Sequence, residues 1–403
     1  MYTSLRSALL AGALLVIGTA AYADAITISE ALRQGVENSP RIAAAKAQSD
    51  ASEARARQAG VSPNPELALD VENFVGTGPF QGLGGTETTL AVSQRLERGG
   101  KRGARMKVAE AERDYAYLNY RRIQADLDYD IRVAYAQLRA AEERVDLARV
   151  NLRNAQELAR TSGILVDVGR DPPLRKLRAD SLLAQAEADL AGAEGELRIA
   201  RQRLASLIGS SDPQLSAANM PFDAPPPPLA IIAPNIDVRL AEAELDAANA
   251  RVALAQTDGV PDITVSGGVR HFNASGDAAL VAGVSIPLPI RDRNKGNIEA
   301  AQSDVWAAES RVNLARIEAD QGRYDAETKL RASDSRIASL ERSALPQATE
   351  ALRLAQLGYQ AGKFSLVELI DAQSALNDVR TALIQARLDR ALAIAALYRA
   401  NAQ

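Results

Sequence analysis

The chain has 403 residues; 47% are hydrophobic but only 4% aromatic, and 47 basic against 51 acidic residues leave a net charge of −4. With no cysteine and one histidine, His271, the chain has no disulfides, thiolate chemistry, zinc fingers or multi-histidine metal sites. The absence of a basic excess argues against nucleic acid as a partner. Alanine supplies much of the apolar share, which predicts long, slim helix-on-helix packing.

Residues 1–23 are predicted to be a secretory signal peptide. One positive charge precedes the apolar run Leu9–Ile17, and Ala21-Tyr22-Ala23 has the small-x-small pattern of a cleavage site. The apolar run is short for a transmembrane helix, although an N-terminal membrane anchor is the alternative. Since no cysteine follows the leader, we expect an exported chain that is not a lipoprotein.

The rest of the chain is predicted to repeat one design in two halves, residues 24–209 and 235–403. Residues recur in order about 193 to 196 positions later, as Gly169 does at Gly362. Ordered self-similarity of this kind indicates an internal duplication. Residues 210–234, which contain four consecutive prolines, are expected to be a Pro-rich linker.

Each half is predicted to begin with a helix, at Ser29–Gly60 and at Asn235–Asp258, and to continue with two strands. Four segments alternate apolar and polar residues with a period of two, which is typical of half-buried strands. These segments lie at about 65–73, 86–96, 262–272 and 278–286.

Long helices are predicted after each strand pair. Apolar residues recur in steps of four and three along residues 127–155, 183–207 and 369–397, which is the pattern of a coiled-coil seam. The helices are expected to turn back at Gly163–Pro173 and at Gly358–Leu366. The fold class is therefore mainly α with a small β part.

Strands of nine to eleven residues with one apolar face can cross an outer-membrane bilayer. Four such strands cannot close a barrel, and an open sheet edge in lipid costs several kcal/mol for each unpaired backbone group. If the strands span a membrane, several copies must therefore pool them, and three copies would supply twelve. The alternative is a pair of soluble hairpins that cap a coiled coil.

Taken together, these elements resemble the TolC-like outer-membrane factor family over essentially the whole mature chain. A helix, two strands and a long helical hairpin, occurring twice, is the architecture of that family. The segments Asn64–Phe74 and Ser93–Arg102 look like its heavy-metal efflux branch, often called CzcC-like, and Gly358–Ala372 is similar to its periplasmic tip.

This resemblance implies a homotrimer, with a 12-stranded β-barrel in the lipid of the outer membrane and an α-helical tunnel across the periplasm. It implies a periplasmic adaptor and an inner-membrane pump of the resistance–nodulation–division type as partners. The chain would be a passive exit duct for heavy-metal cations, without cofactor or catalytic residues. The alternatives are a duct for drugs or for type I secretion, a periplasmic adaptor or structural protein that never spans the membrane, and an enzyme.

The resemblance also implies a gate at the periplasmic end of the tunnel. Glu368 and Asp371 match the family's lumen-facing acidic pair, and their i, i+3 spacing puts them on one helix face. A trimer would then carry two rings of three carboxylates that attract cations; a solvated surface pair is the alternative. Tyr359 matches the gate-tethering tyrosine. Phe364 stands where a basic tether is usual and Arg175 aligns with its usual acidic partner, so the tether is missing or is rebuilt as an Arg175–Glu368 pair.

The tips of the two helical hairpins are the expected docking surface for the adaptor. Their glycines permit a tight reversal of the chain, and the flanking apolar residues can meet a helical hairpin of the adaptor. Turn chemistry alone is the alternative for each residue. The predicted docking residues are Gly169, Arg170, Asp171, Gly362, Lys363, Ser365, Leu366 and Val367.

The only tryptophan and the only histidine of the chain are not expected to act as functional or ligand residues. Trp306 lies on a predicted long helix and is expected to be a packing residue. His271 lies at the end of a predicted strand and is expected at the surface or the membrane interface. Because the chain is poor in Cys, His and Met, we expect no metal site in this subunit. The substrate is then selected mostly by the components upstream of it, the pump and the adaptor.

Overall fold

A computed structural model of the protein describes residues 25–218 and 234–402, so the predicted signal peptide and the four linker prolines lie outside the described residues. Eight α-helices and four strands are assigned within these ranges. In chain order they are α1 Ile28–Asn38, α2 Pro40–Ala59, β1 Glu66–Glu72, β2 Glu87–Leu96, α3 Lys101–Asp167, α4 Pro173–Ile208, α5 Ile236–Asp258, β3 Ile263–Phe272, β4 Ala278–Ser285, α6 Lys295–Ser339, α7 Leu345–Gln360 and α8 Leu366–Ala400.

The first helical segment is interrupted, so the prediction of one helix over Ser29–Gly60 is wrong. Helix α1 ends at Asn38, and α2 begins at Pro40. The residue between them, Ser39, is extended, with φ −75° and ψ 120°. A residue before proline is driven out of the helical region, whereas proline itself fits the first turn of a helix, where its missing N–H is not needed.

The four strands form one antiparallel sheet in the order β1–β2–β3–β4. Each strand lies within its predicted range. Glu72 pairs with Glu87, which in turn pairs with Phe272, so the two hairpins lie side by side with their loops at the same end. Strands β1 and β4 are the two edges, and the sheet of one chain does not close into a barrel.

The first long helix ends where a reversal of the chain is predicted. Helix α3 has 67 residues, which corresponds to about 100 Å at 1.5 Å per residue. It continues through Gly163, and the chain turns at 168–172, within the predicted range Gly163–Pro173. One glycine inside a long helix costs only about 1 kcal/mol, whereas Pro172 and Pro173 cannot continue an existing helix.

The predicted apolar seam of α3 is confirmed as the centre of the largest core cluster. From Leu127 to Val145 the side chains at seam spacing are at most 3% exposed, and they pack against Leu197 and Leu204 of α4. Helix α8 packs on both α3 and α6. Among the described residues, no helix is both long enough and apolar enough to span a membrane.

Helices α6 and α7 are separated by one wide turn. Residues Leu340–Ala344 adopt the π conformation, and Pro346 follows in the first turn of α7. Because proline donates no backbone hydrogen bond, the regular α-helical ladder cannot run unbroken through this position. Two ion pairs hold α8 against this region. Arg387 of α8 pairs with Glu341 of the wide turn at 2.8 Å, and Arg390 of α8 pairs with Asp334 of α6 at 2.7 Å.

Candidate functional site

The sheet has one apolar face. Because neighbouring strands pair in register, alternate residues of all four strands project to the same side. The large apolar residues on this side, which also carries Thr88, Gln94 and His271, are Leu67, Leu69, Val71, Leu90, Val92, Leu96, Ile263, Val265, Val269, Leu280 and Val284. Most are exposed, Leu280 by 88% and Leu67 by 71%. A continuous exposed apolar surface of this kind marks contact with lipid or with another protein.

The opposite face is polar and is joined across three strands by Arg270 of β3. Its guanidinium contacts Glu72 of β1 and Glu87 of β2, both at 2.9 Å, and donates from Nε to the Thr89 hydroxyl at 2.9 Å. Analysis of the sequence missed this cluster, because its members come from both halves of the chain and each is an ordinary polar residue of an alternating strand.

The joint between the sheet and the helices is built from residues of both halves of the chain. Asp262, just before β3, accepts from the Lys101 ammonium at 2.9 Å and from the backbone N–H of Arg98 at 3.2 Å. Gly99 lies so close to the side chain of Val260 that a β-carbon has no room there. The segment Ser93–Arg102, which carried the resemblance, therefore forms a strand-to-helix turn that is clamped by the other half.

A second ion pair closes the same joint on the side of α2. Arg105 pairs with Glu97 and also donates to the carbonyl oxygens of Ala59 at 2.8 Å and Val61 at 3.1 Å. These carbonyls lie at the C-terminal end of α2, where backbone acceptors lack partners within the helix. The hydrogen bond from Arg105 lowers the pKa of Glu97.

We expect Asp262→Asn to destabilise this joint by about 2 kcal/mol, because a hydrogen bond to a charged group contributes about that much. Burial opposes ionisation of Asp262, but the bonds from Lys101 and the Arg98 amide outweigh it and lower its pKa. A lowered carboxylate pKa stabilises the fold above the ordinary pKa of 3.8, and this stabilisation is lost as the pH falls through the lowered value. The measurement is the midpoint of thermal unfolding of the detergent-solubilised protein at pH 7 and pH 3.

The exposed variant Asp304→Asn serves as the control for that substitution. It should leave the midpoint nearly unchanged at both pH values, while the deficit of Asp262→Asn should shrink at pH 3. Equal deficits of the two variants at pH 7 would contradict the role given to Asp262.

The two helical tips have the same turn. Gly169 and Gly362 both adopt left-handed backbone conformations, with φ +71° and +68°. In each turn the next two backbone N–H groups donate to the carbonyl four residues before the glycine, to Leu165 in the first tip and to Gly358 in the second. A residue with a β-carbon is strained at this φ, which explains the glycines.

The predicted acidic pair lies at the start of α8, with both side chains exposed. Glu368 forms a capping box with Ser365, in which its carboxylate accepts the Ser365 backbone N–H and the Ser365 hydroxyl accepts the Glu368 N–H. The hydrogen bond from the Ser365 amide lowers the pKa of Glu368. Asp371 follows one turn later on the same side of the helix.

The Arg175–Glu368 pair is not formed within the described chain. Arg175 is paired instead with Asp171, one turn earlier, and Glu368 is engaged with Ser365. Both groups therefore have local partners that require no approach of the two hairpins. An Arg175–Glu368 tether in the assembled gate stays a prediction, which these local contacts do not support.

Tyr359 lies where the two tips meet. Burial raises the pKa of its hydroxyl, the negative charge of Asp171 raises it further, and Arg175 lowers it. The hydroxyl and the Oδ2 atom of Asp171 are both buried, and neither has a hydrogen-bond partner among the described residues. A free donor and a free acceptor are thus present at one junction between the hairpins.

The remaining tip residues divide into exposed and inward-facing ones. Phe364 stands over Gly358 and is 45% exposed. Leu366 is only 2% exposed, so its predicted place on the docking surface is wrong: as the first residue of α8 it packs inward. The side chain of Asp171 is likewise only 9% exposed. The exposed predicted docking residues are Gly169, Arg170, Gly362, Lys363, Ser365 and Val367.

Comparison with known proteins gives concordant matches. The family described as outer membrane efflux protein matches residues 31–210 and 230–403. The chain is 31% identical to the cobalt-zinc-cadmium resistance protein CzcC of Cupriavidus metallidurans, over 89% of this chain and 85% of that protein. It is 34% identical to the nickel and cobalt resistance protein CnrC of the same organism, over 80% and 77%. The outer membrane protein VceC from Vibrio cholerae has the same fold, with a TM-score of 0.77 at 22% identity over 93% and 95% of the two chains.

Proposed function

The chain belongs to the outer membrane efflux protein family, and we propose that it is the outer-membrane subunit of a tripartite efflux system, a passive exit duct for heavy-metal cations. The observation that carries this proposal is a sheet with one exposed apolar face and too few strands to close, joined to long helices of which the longest, α3, measures about 100 Å. Two similar proteins are named for resistance to cobalt, zinc, cadmium and nickel, which supports metal cations as the substrate class.

Three copies complete the duct in this proposal. Pairing β4 of one copy with β1 of the next satisfies the backbone groups at both edges, and three sheets of four strands close a 12-stranded barrel in the lipid. The apolar face then lies against lipid and the polar face with Arg270 lines the water-filled interior. The long helices extend from the barrel as a tunnel through the periplasm.

The partners follow from the same proposal. A pump of the resistance–nodulation–division type in the inner membrane supplies the energy, and a periplasmic adaptor links it to the exposed tip residues around Gly169 and Gly362. The leader at residues 1–23 exports the chain, which is not lipid-anchored because no cysteine follows it.

Glu368 and Asp371 contribute six carboxylates to the gate of a trimer. The lowered pKa of Glu368 keeps its carboxylate charged at mildly acidic pH. Rings of carboxylates at a narrow opening favour cations over anions. The gate thus suits a cationic substrate without a metal-binding site.

The tether of the closed gate is assigned to Asp171. Its Oδ2 atom and the Tyr359 hydroxyl are both buried and unpaired among the described residues, the charge of Asp171 acts on that hydroxyl, and its other oxygen binds Arg175. In the closed gate of this proposal the Tyr359 hydroxyl donates to Oδ2, and one buried carboxylate joins the two tips. An aspartate one turn before Arg175 thereby takes the role of the acidic partner that the resemblance left missing.

We expect Asp171→Ala to leave the channel leaky, because Arg175 loses its partner and Tyr359 its acceptor. The charge swap Asp171→Arg with Arg175→Asp should restore part of the closed state. The double variant Arg175→Glu with Glu368→Arg should not restore the closed state. The readout is spontaneous conductance in planar bilayers, and the reverse pattern would favour the Arg175–Glu368 tether.

Planar bilayers also test the duct itself. The purified protein should form cation-selective channels, whereas an adaptor, a structural protein or an enzyme would form none. A deletion strain should then be exposed to zinc, cobalt, cadmium, nickel, copper and silver salts alongside antibiotics. Sensitivity to antibiotics alone would contradict the metal assignment and leave the channel assignment standing.

A further inference from the structure

The connector between β4 and α6, residues 286–294, continues the apolar face of the sheet beyond its last strand. Val284 is the last residue of β4 on that face. Ile286, Leu288 and Ile290 follow it at the same spacing of two and are 45%, 75% and 74% exposed. We call these three side chains the connector strip. The described chain leaves the connector strip largely uncovered.

Two prolines keep the connector out of the sheet. Pro287 and Pro289 alternate with the residues of the connector strip, and both are exposed. Proline has no backbone N–H and cannot continue the hydrogen-bond ladder of β4. It also favours an extended backbone for the residue before it, here Ile286 and Leu288. The apolar side chains are therefore carried past the last hydrogen bonds of the sheet.

The internal duplication shows that this connector is longer than its counterpart. In the first half, Lys101 begins α3 five positions after Leu96. Leu96 recurs 192 residues later as Leu288, and Lys295 begins α6 seven positions after Leu288. The second connector thus has two more residues than the first, and the added length lies between Leu288 and α6.

The longer connector presents two arginines that have no partner in the described part of the chain. Arg291 and Arg293 are exposed, and neither forms an ion pair or a side-chain hydrogen bond there. Asp292 stands between them, but its carboxylate accepts the backbone N–H of Asn294 at 2.9 Å. In the first half, by contrast, the cation of Lys101 is held by Asp262 and is only 15% exposed.

The base of the connector is fixed to the end of α5. The side-chain amide of Asn294 donates to the carbonyl oxygen of Ala255 at 2.7 Å. The backbone of Arg293 lies against Gly259, where a β-carbon would come within 3.3 Å of the Arg293 carbonyl oxygen. A fixed base lowers the entropy lost when a ligand orders the connector.

The connector lies at the end of the sheet where the helices begin, opposite the loops of the two hairpins. In the proposed duct this end is the boundary between the hydrocarbon of the outer membrane and the periplasm. The connector strip then meets the acyl chains closest to the headgroups, and Arg291 and Arg293 follow at the level of the phosphates.

The chemistry of the two parts fits one ligand. A guanidinium binds a phosphate through two parallel hydrogen bonds, and basic residues beside an apolar surface attract anionic lipids. We infer that the connector binds an anionic phospholipid, with its phosphate at Arg291 and Arg293 and its acyl chains on the connector strip. This inference rests on the proposed function, because it requires the apolar face to lie in lipid.

A single tryptophan on the connector strip tests the contact. Trp306→Phe removes the only tryptophan of the chain, and Ile290→Trp is added to it. The trimer is reconstituted in phosphatidylcholine vesicles that contain a minor fraction of phosphatidylglycerol. Bromine on the acyl chains of the phosphatidylglycerol should quench the emission several-fold more strongly than bromine on an equal amount of the phosphatidylcholine.

Removing the two charges should abolish this preference. A basic residue at an anionic surface strengthens binding about fivefold, so Arg291→Gln with Arg293→Gln should make the two brominated lipids quench almost equally. The control variant, Arg178→Gln with Arg198→Gln, changes two exposed arginines of α4 and should keep the preference. A preference that survives the first double variant, or that never exists, would overturn the lipid site.

Inorganic phosphate separates a lipid headgroup from a soluble anion. Excess phosphate should affect the preference no more than sodium chloride of the same ionic strength, because the headgroup is held beside the connector by its acyl chains. Loss of the preference in phosphate but not in sodium chloride would assign the arginines to a free anion and overturn the lipid site.

Two reference positions separate this inference from the proposed duct. Leu280→Trp in the Trp306→Phe background lies on the apolar face, where Leu280 is 88% exposed, and both brominated lipids should quench it. Ile199→Trp reports on α4, where Ile199 is 71% exposed, and should not be quenched. Quenching of Leu280→Trp without quenching of Ile290→Trp would overturn the lipid site alone. Quenching of neither would overturn the lipid site and the duct together.

Discussion

Val92→Arg should keep the protein out of the outer membrane. Val92 lies at the middle of β2 on the apolar face and is 51% exposed. An arginine on the lipid side at the midplane of a barrel costs about 2–4 kcal/mol, and a trimer carries the substitution three times, or about 6–12 kcal/mol in total. The measurement is the amount of trimer in the outer-membrane fraction after density-gradient separation.

Ser93→Arg is the matched control, one residue further along the same strand. Ser93 pairs with Glu66 and belongs to the polar face, where an arginine has an acidic neighbour and water. This variant should assemble in the outer membrane like the unmodified protein. Normal assembly of Val92→Arg would refute the assignment of the apolar face to lipid.

Arg399→Met should give the largest loss of stability among the helical variants, about 3–5 kcal/mol. Arg399, at the end of α8, donates to both carboxylate oxygens of Asp237 at 2.8 and 2.9 Å and to Asp126 at 2.6 Å, and its side chain is only 19% exposed. The methionine leaves two carboxylates of α5 and α3 without this cation. Denaturant unfolding of the solubilised protein, followed by circular dichroism, measures the effect.

An arginine-to-methionine substitution in an exposed ion pair shows how much of this loss of stability depends on burial. Arg316 pairs with Glu242 at 2.8 Å, but its side chain is 57% exposed. Arg316→Met should therefore cost at most about 1 kcal/mol, since water already solvates both charges well. Similar losses for the two variants would argue that Arg399 holds no special place in the junction of α3, α5 and α8.

The gate shows how local partners compete with a predicted pair between the two tips. Arg175 and Glu368 occupy equivalent positions in the two tips, and opposite charges at such positions suggest a pair. In the folded chain each charge finds a partner within four residues, Asp171 for Arg175 and Ser365 for Glu368. A local partner requires less chain ordering than one on another hairpin, so the local contact prevails.

Leu366 was placed on the docking surface for a related reason. A tip leucine looks available to a partner, yet Leu366 is buried at the start of α8; conversely Trp306, expected to be a packing residue, is 69% exposed within one chain. Apolar character by itself does not tell which neighbour will cover a side chain. That depends on which helices stand next to it.

The amino-acid sequence by itself determined the strands, the long helices, the apolar seam of α3 and the need for glycine at the two tips, because these follow from periodicity and backbone sterics over a few neighbouring residues. Only the tertiary structure decided that β2 pairs with β3, that Lys101 meets Asp262 and that Arg270 joins three strands. Those contacts join segments from different halves of the chain, and their formation depends on how whole hairpins pack rather than on any local pattern.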